Sequence, residues 1–233
     1  MEATPAVEKH TPRETALQRL VRNSGDFLKS MTRMTVLTAL VLPILLLAFL
    51  TVDLPVRAFD GLFGDGVEVR ASNWLTRGAF LMGLAPLFII LIARKYGGDE
   101  ASRVVTAAWG VAAVAVFAEL SYLSPELESG DLPGARFVMA FVASAMAAQY
   151  IAASVYDVAR GATQWWRAPL YGAIGGSLAY ELIYFPWVYW GSSLPWGNWM
   201  VGDFAIKMLC AFAFLPVYGM LRRTLKPKGG FGG

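Results

Sequence analysis

Six long apolar runs separated by short polar stretches dominate the chain, at residues 34–54, 73–92, 104–123, 136–156, 169–190 and 203–221. Each approaches the roughly 20 apolar residues needed to cross a hydrocarbon core of about 30 Å. A backbone in lipid must satisfy its own polar groups, so each run predicts an α-helix. Pro186 and Pro216 fall inside two of the runs, where neighbouring helices can satisfy the carbonyls they free. The expectation is an all-α, polytopic membrane bundle of six transmembrane helices with short loops. It has an N-terminal tail over 1–33, a membrane domain over 34–221 and a C-terminal tail over 222–233. In the first tail, Leu17, Leu20, Val21, Phe27 and Leu28 suit either a short helix lying on the membrane surface or a partly disordered segment. The Gly-rich end, Gly229 to Gly233, reads as a flexible tail.

Composition narrows the class. Of the 233 residues 56% are hydrophobic and 16% charged, whereas soluble domains carry about 25% charged residues. The single cysteine, Cys210, rules out a disulfide framework within the chain. Lys and Arg are distributed by loop: the first tail, the 93–103 and 157–168 loops and the last tail hold 15 of the 20. The alternate loops hold only Arg57 and Arg70, and carry Asp60, Asp65, Glu68, Glu126, Glu128 and Asp131. By the positive-inside rule both termini are predicted to be cytoplasmic. The basic balance therefore reads as topology, and no nucleic-acid partner is expected. Trp187, Tyr189, Trp190, Trp196 and Trp199 crowd the outer end of the last hairpin, and Trp165 and Trp166 the inner interface, as an aromatic belt would.

Ionisable groups inside membrane segments are costly, so each needs a partner or a task. Arg77, Glu119, Arg136 and Asp203 lie near the outer surface, where long side chains can snorkel and an ion-pair role is as good a reading as a substrate role. Asp203 and Lys207 are spaced i,i+4 and can pair on one helix face. Glu181 has no charged residue one turn away in its own segment, so it must face another helix, a cavity or a ligand, or carry a proton. Tyr180, Tyr184 and Phe185 adjoin it. A carboxylate beside aromatic rings suits a flat, nitrogen-rich ligand, since the carboxylate accepts N–H bonds while rings stack on the faces. Gln149 adds an amide in the fourth segment. Ala140, Ala143 and Ala147, with Gly172 and Gly176, are expected to mark close helix approaches. The chain has no HExxH, GxSxG, paired-cysteine or phosphate-loop motif, and its one histidine, His10, is in the polar tail. The expectation is a non-enzyme without cofactor or metal.

The second half resembles the queuosine precursor transporters, a VUT-type family. The matching residues run in order from Arg136 and Gln149 through Tyr156-Asp157 and Arg160 to Trp165-Trp166 and Ala168-Pro169. They continue through Tyr184-Phe185-Pro186, Tyr189-Trp190-Gly191, Trp199, Asp203, Lys207, Pro216, Tyr218 and Gly219. Arg94-Lys95-Tyr96-Gly97 resembles the family's loop after its second helix. Ile90, Ala152 and Tyr180 stand where the family usually has carboxylates, with Glu181 one position late. The resemblance implies a multi-pass protein of the cell inner membrane that imports a 7-deazaguanine-type base, the nitrile or aminomethyl precursor, for tRNA modification. Glu181 and Gln149 would then bond the purine-like substrate, while Lys207, Asp203 and Arg136 shape the site beside Tyr180 and Phe185. A homo-oligomer or an energy-coupling partner is compatible with this reading. Two other readings stand beside it: a substrate-capture subunit of a vitamin uptake system that works with a separate ATPase module, and a membrane scaffold that transports nothing.

Overall fold

A computed structural model describes residues 15–62, 66, 70–123 and 134–227. The acidic positions Asp65, Glu68, Glu126, Glu128 and Asp131, together with Lys9, His10, Arg13, Lys228 and the glycine-rich end, lie outside the described residues. Among the described residues six long helices form: α1 (Ala16–Leu50), α2 (Arg77–Tyr96), α3 (Gly98–Leu123), α4 (Ala135–Ala159), α5 (Arg167–Tyr189) and α6 (Trp196–Leu221). Five of them are long and apolar enough to cross a membrane; α5 falls short on apolarity. Its 23 residues include four tyrosines, two prolines, three glycines and Glu181. This helix contributes Glu181 to the polar interior described below.

Local chemistry sets the helix ends. Thr15 and Gln18 close a capping box at the start of α1. Thr76 caps α2 through Ala79 N–H, with a 3-10 turn over Ala71–Asn73 in front of it, so the helix starts at Arg77 and not at the expected Asn73. Gly97, at φ 94°, ends α2 in a conformation that favours glycine, and Arg94 and Lys95 complement the helix dipole in its last turn. The next helix starts immediately, and Asp157 accepts from Gly98 N–H at 3.0 Å. Both α3 and α6 begin six or seven residues ahead of their apolar runs, because their first turns contain polar residues: Asp99, Glu100 and Arg103 in one, Asn198 in the other.

No break in the helix marks residue 33, where the tail is expected to meet the membrane domain. The first helix is continuous for 35 residues, which at about 1.5 Å per residue is about 52 Å. Its first half, with Leu17, Leu20, Val21, Phe27 and Leu28, is exposed. Neither a separate short helix nor a disordered segment describes it. Arg33 ties the middle of α1 to the start of α3 through Glu100 at 2.7 Å.

Contacts at matching heights show that successive helices run in opposite directions. Gly78 abuts Ala48, Trp109 bonds Gln149, Gly176 abuts Ala148, Lys207 meets Glu181, and Arg94 reaches Tyr218. The central element is α2, which packs against every other helix. Between α4 and α5 the approach is close because Gly172 and Gly176 face the carbonyls of Ala152 and Ala148. The expected glycine pair is therefore confirmed, but its partner stripe is Ala148–Ala152; Ala143 and Ala147 are only half-buried.

A Cβ on Gly176 would lie 2.7 Å from the Ala148 carbonyl oxygen, whereas one on Gly110 would meet nothing within 4 Å. Gly176→Ala should cost about 1–3 kcal/mol and lower the melting temperature of the purified protein. Gly110→Ala should leave it unchanged or slightly raised. Equal melting temperatures for Gly176→Ala and the parent would contradict this helix register.

Candidate functional site

At the meeting of α2, α5 and α6, Lys207 extends its stem across Gly83, whose missing side chain makes the room: a Cβ there would stand 2.9 Å from Lys207 Cε. The ammonium then donates to Glu181 Oε1 and to Asp203 Oδ2, each at 2.6 Å. It also lies 3.5 Å from the centroid of the Tyr180 ring, a cation–π contact. All three charged side chains are at most 4% exposed. Glu181 is three residues past the centre of α5, about 4.5 Å toward its Tyr189 end. The i,i+4 pairing of Asp203 with Lys207 is as expected, and the helix that Glu181 had to face is α6.

The cluster is not fully satisfied. Glu181 Oε2, Asp203 Oδ1 and the Tyr180 hydroxyl are buried without a hydrogen-bond partner. Two carboxylates against one ammonium leave one excess formal negative charge, or a place for one proton. Isolated charge in a low-dielectric interior is costly, so such a set is poised to take a proton or a ligand N–H. Gln149 approaches from α4. Its Oε1 accepts from Trp109 Nε1 at 3.2 Å, while its Nε2 is buried and unpartnered. The α4–α5 register puts Gln149 near the level of Gly176, five residues or about 7.5 Å along the axis from Glu181.

Aromatic rings connect this cluster to one pole of the bundle. Tyr180 stacks on Tyr184 at 5.2 Å, Tyr184 meets Phe185 edge-on at 5.3 Å, Phe185 meets Tyr189, and Tyr189 meets Trp199. Phe185 belongs to this ladder, separated from the ammonium by the Tyr180 and Tyr184 rings. Arg136 is placed elsewhere: its guanidinium donates to the carbonyls of Trp187 and Trp190 at 2.6 and 3.1 Å, closing the C-terminal end of α5. Arg77 and Glu119 are exposed. The structure thus brings together Glu181, Asp203, Lys207 and Tyr180, sets Gln149 one level away, and separates Arg136.

Sequence reasoning missed Gly83 and Trp109. A lone glycine in an apolar run has no signal of its own, and Trp109 is one of several tryptophans. Among the described residues no group of three or more His, Cys, Asp or Glu side chains is arranged to hold a metal ion. A hollow of about 800 Å³ beside Leu54, Arg57 and Arg77 touches none of the cluster.

Five helices long and apolar enough to cross a membrane, packed around a buried charge cluster, together with the family match below, make this a multi-pass membrane protein of the transporter class. The chain belongs to the family described as "Putative vitamin uptake transporter", whose model matches residues 76–221, from the cap of α2 to the end of α6. Every cluster residue lies within that match, and α1 lies before it. No curated protein and no solved structure matches the chain.

Removing one member of a buried ionic set costs about 3–5 kcal/mol when it leaves the others uncompensated. Lys207→Met should therefore destabilise strongly, because both carboxylates lose their counter-ion. Asp203→Asn should cost much less, since Glu181 keeps the ammonium. Thermal unfolding of the purified variants tests this order, and an equal loss for both would refute the shared-ammonium description.

Proposed function

We propose that this protein imports a flat, nitrogen-rich base of the 7-deazaguanine class, a precursor of queuosine, across the cytoplasmic membrane. The observation that carries the proposal is the surplus of hydrogen-bond acceptors around Lys207: two carboxylates share one ammonium, and each keeps a free oxygen. A guanine-like edge offers adjacent N–H donors, which a carboxylate accepts as a pair, and a carbonyl oxygen, which the free Gln149 amide can donate to. An aminomethyl substituent is cationic and complements the excess negative charge. Tyr180 and Tyr184 supply ring faces for stacking.

In this reading Glu181 and Gln149 bond the base, Lys207 and Asp203 shape the site, and Phe185 supports the ring stack. Arg136 acts at a distance by holding the end of α5. The bundle is closed over the cluster in this conformation, so the substrate enters when α5 and α6 part. A cytoplasmic placement of both termini draws support from Arg33, Arg94, Arg160 and Arg222, which gather at one pole of the bundle, and from Arg57 and Arg70, which the sequence places at the other. The family's description names vitamin uptake, which favours a vitamin as cargo in a second reading, one in which the chain captures it for a separate energy-coupling module. Transport by the chain alone in liposomes would exclude that reading.

Cells unable to make queuosine precursors provide the test. Expression of this chain with supplied base should restore queuosine in tRNA, and Glu181→Gln should reduce uptake about 10- to 100-fold through loss of a charge-assisted bond worth about 1.5–3 kcal/mol. Gln149→Ala should weaken uptake less. No restoration despite normal membrane levels would sink the substrate assignment, and unchanged uptake by Glu181→Gln would remove it from the site.

A further inference from the structure

A second polar hollow lies at the opposite end of α6. Arg222 is fifteen residues, or about 22 Å along the axis, from Lys207. The hollow encloses about 250 Å³ between the ends of α2, α4 and α6 and the loop from α4 to α5. Its walls include three arginines, Arg94, Arg160 and Arg222, with Tyr156, Tyr218 and Trp165. Each guanidinium is held in place. Arg94 donates to Tyr218 Oη at 3.3 Å and to the Arg222 carbonyl at 3.1 Å, while its Nε is buried without a partner. Arg222 lies over the Trp165 ring at 5.2 Å. Arg160 pairs with Asp157 at 3.2 Å, and that carboxylate is already shared with Gly98 N–H. Behind them the Tyr156 and Tyr218 hydroxyls bond each other at 2.8 Å.

Three guanidiniums converge here, and the ion pairs among the described residues supply one carboxylate, Asp157. Like charges brought together repel unless an anion joins them, and arginine's planar fork matches the oxygens of a phosphate group. We propose that this hollow is a binding site for a phosphate group, distinct from the Glu181–Lys207 cluster. The phosphate belongs either to a membrane lipid headgroup or to a free anion. An adjoining groove of about 540 Å³ shares Trp165 and Arg222 with the hollow and continues over Pro216 and the exposed Met220. That groove sets Pro216, Gly219 and Met220 beside Arg222 and Arg223, so a lipid lying there would place apolar chain next to guanidiniums that suit its headgroup.

The full chain, purified and stripped of lipid, is tested in two arms. One arm measures the melting temperature against added phosphatidylglycerol, with phosphatidylcholine as reference. The other compares sodium phosphate with sodium chloride at equal ionic strength. Binding should raise the melting temperature in at least one arm. A response in the lipid arm alone identifies a headgroup site, and one to inorganic phosphate identifies a free-anion site. Arg160→Gln and Arg222→Gln should each weaken the response about tenfold in ligand concentration, whereas Arg103→Gln, at the same pole but paired with Glu100, should not. Arg222→Lys, which keeps the charge and the fold but loses the fork, should fall between. The proposal is overturned if neither ligand stabilises the protein, or if the Arg160 and Arg222 variants respond like the parent.

Discussion

The Lys207 ammonium, 2.6 Å from each of two carboxylates on different helices, is the constraint around which the second half of the bundle is arranged. Withdrawing three charges from water costs several kcal/mol per ion, and the mutual attraction offsets that only when geometry is good. The surrounding chain supplies the geometry. Gly83 leaves a channel for the lysine stem, and the Tyr180 ring lies against the ammonium. On the other side of α5, the glycines at 172 and 176 bring it against α4, which positions the helix that carries Glu181. Because the two carboxylates exceed one ammonium, Glu181 Oε2 and Asp203 Oδ1 are left without partners, and the proposed function assigns those oxygens to a ligand or a proton.

The two halves of the molecule serve this arrangement differently. In the first half, α2 provides the floor, touching all other helices and carrying Gly83 and Arg94 at its two levels. The 51–56 segment docks on its start, where Arg77 N–H and Gly78 N–H donate to Leu54 and Thr51 carbonyls. In the second half, α5 and α6 carry the charge and the rings. Separating them would break the Lys207–Glu181 contact, and in the proposed function that same bond couples occupancy by a base to helix movement. A substrate that satisfies Glu181 in place of Lys207 would supply the differential interaction a conformational switch requires.

Much of the fold was legible because membrane segments obey a strong rule: a backbone in lipid must be helical and long. A helix lies over each of the six apolar runs, five of them long and apolar enough to cross a membrane, and α3 and α6 start early where polar first turns, such as Asp99-Glu100 or Asn198, sit inside a helix. The continuous α1 was not legible, since its exposed first half lacks an apolar run of its own. At the site, Asp203 and Lys207 were readable from i,i+4 spacing alone. That Glu181 needed a partner was also readable, but not which helix would provide it, because spacing within one helix says nothing of its neighbours. The placement of Arg136 on the α5 carbonyls and the role of Gly83 depend on tertiary contacts that leave no local pattern.

The central claim is that the acceptors surplus to Lys207 form the ligand site. Titration of the aminomethyl deazaguanine base into the purified chain in nanodiscs, read by calorimetry, addresses it without dependence on transport. The account predicts saturable binding of one base per chain, lost in Glu181→Gln while that variant remains folded by size-exclusion chromatography. Binding of equal affinity by Glu181→Gln, or none by the parent chain, would contradict it.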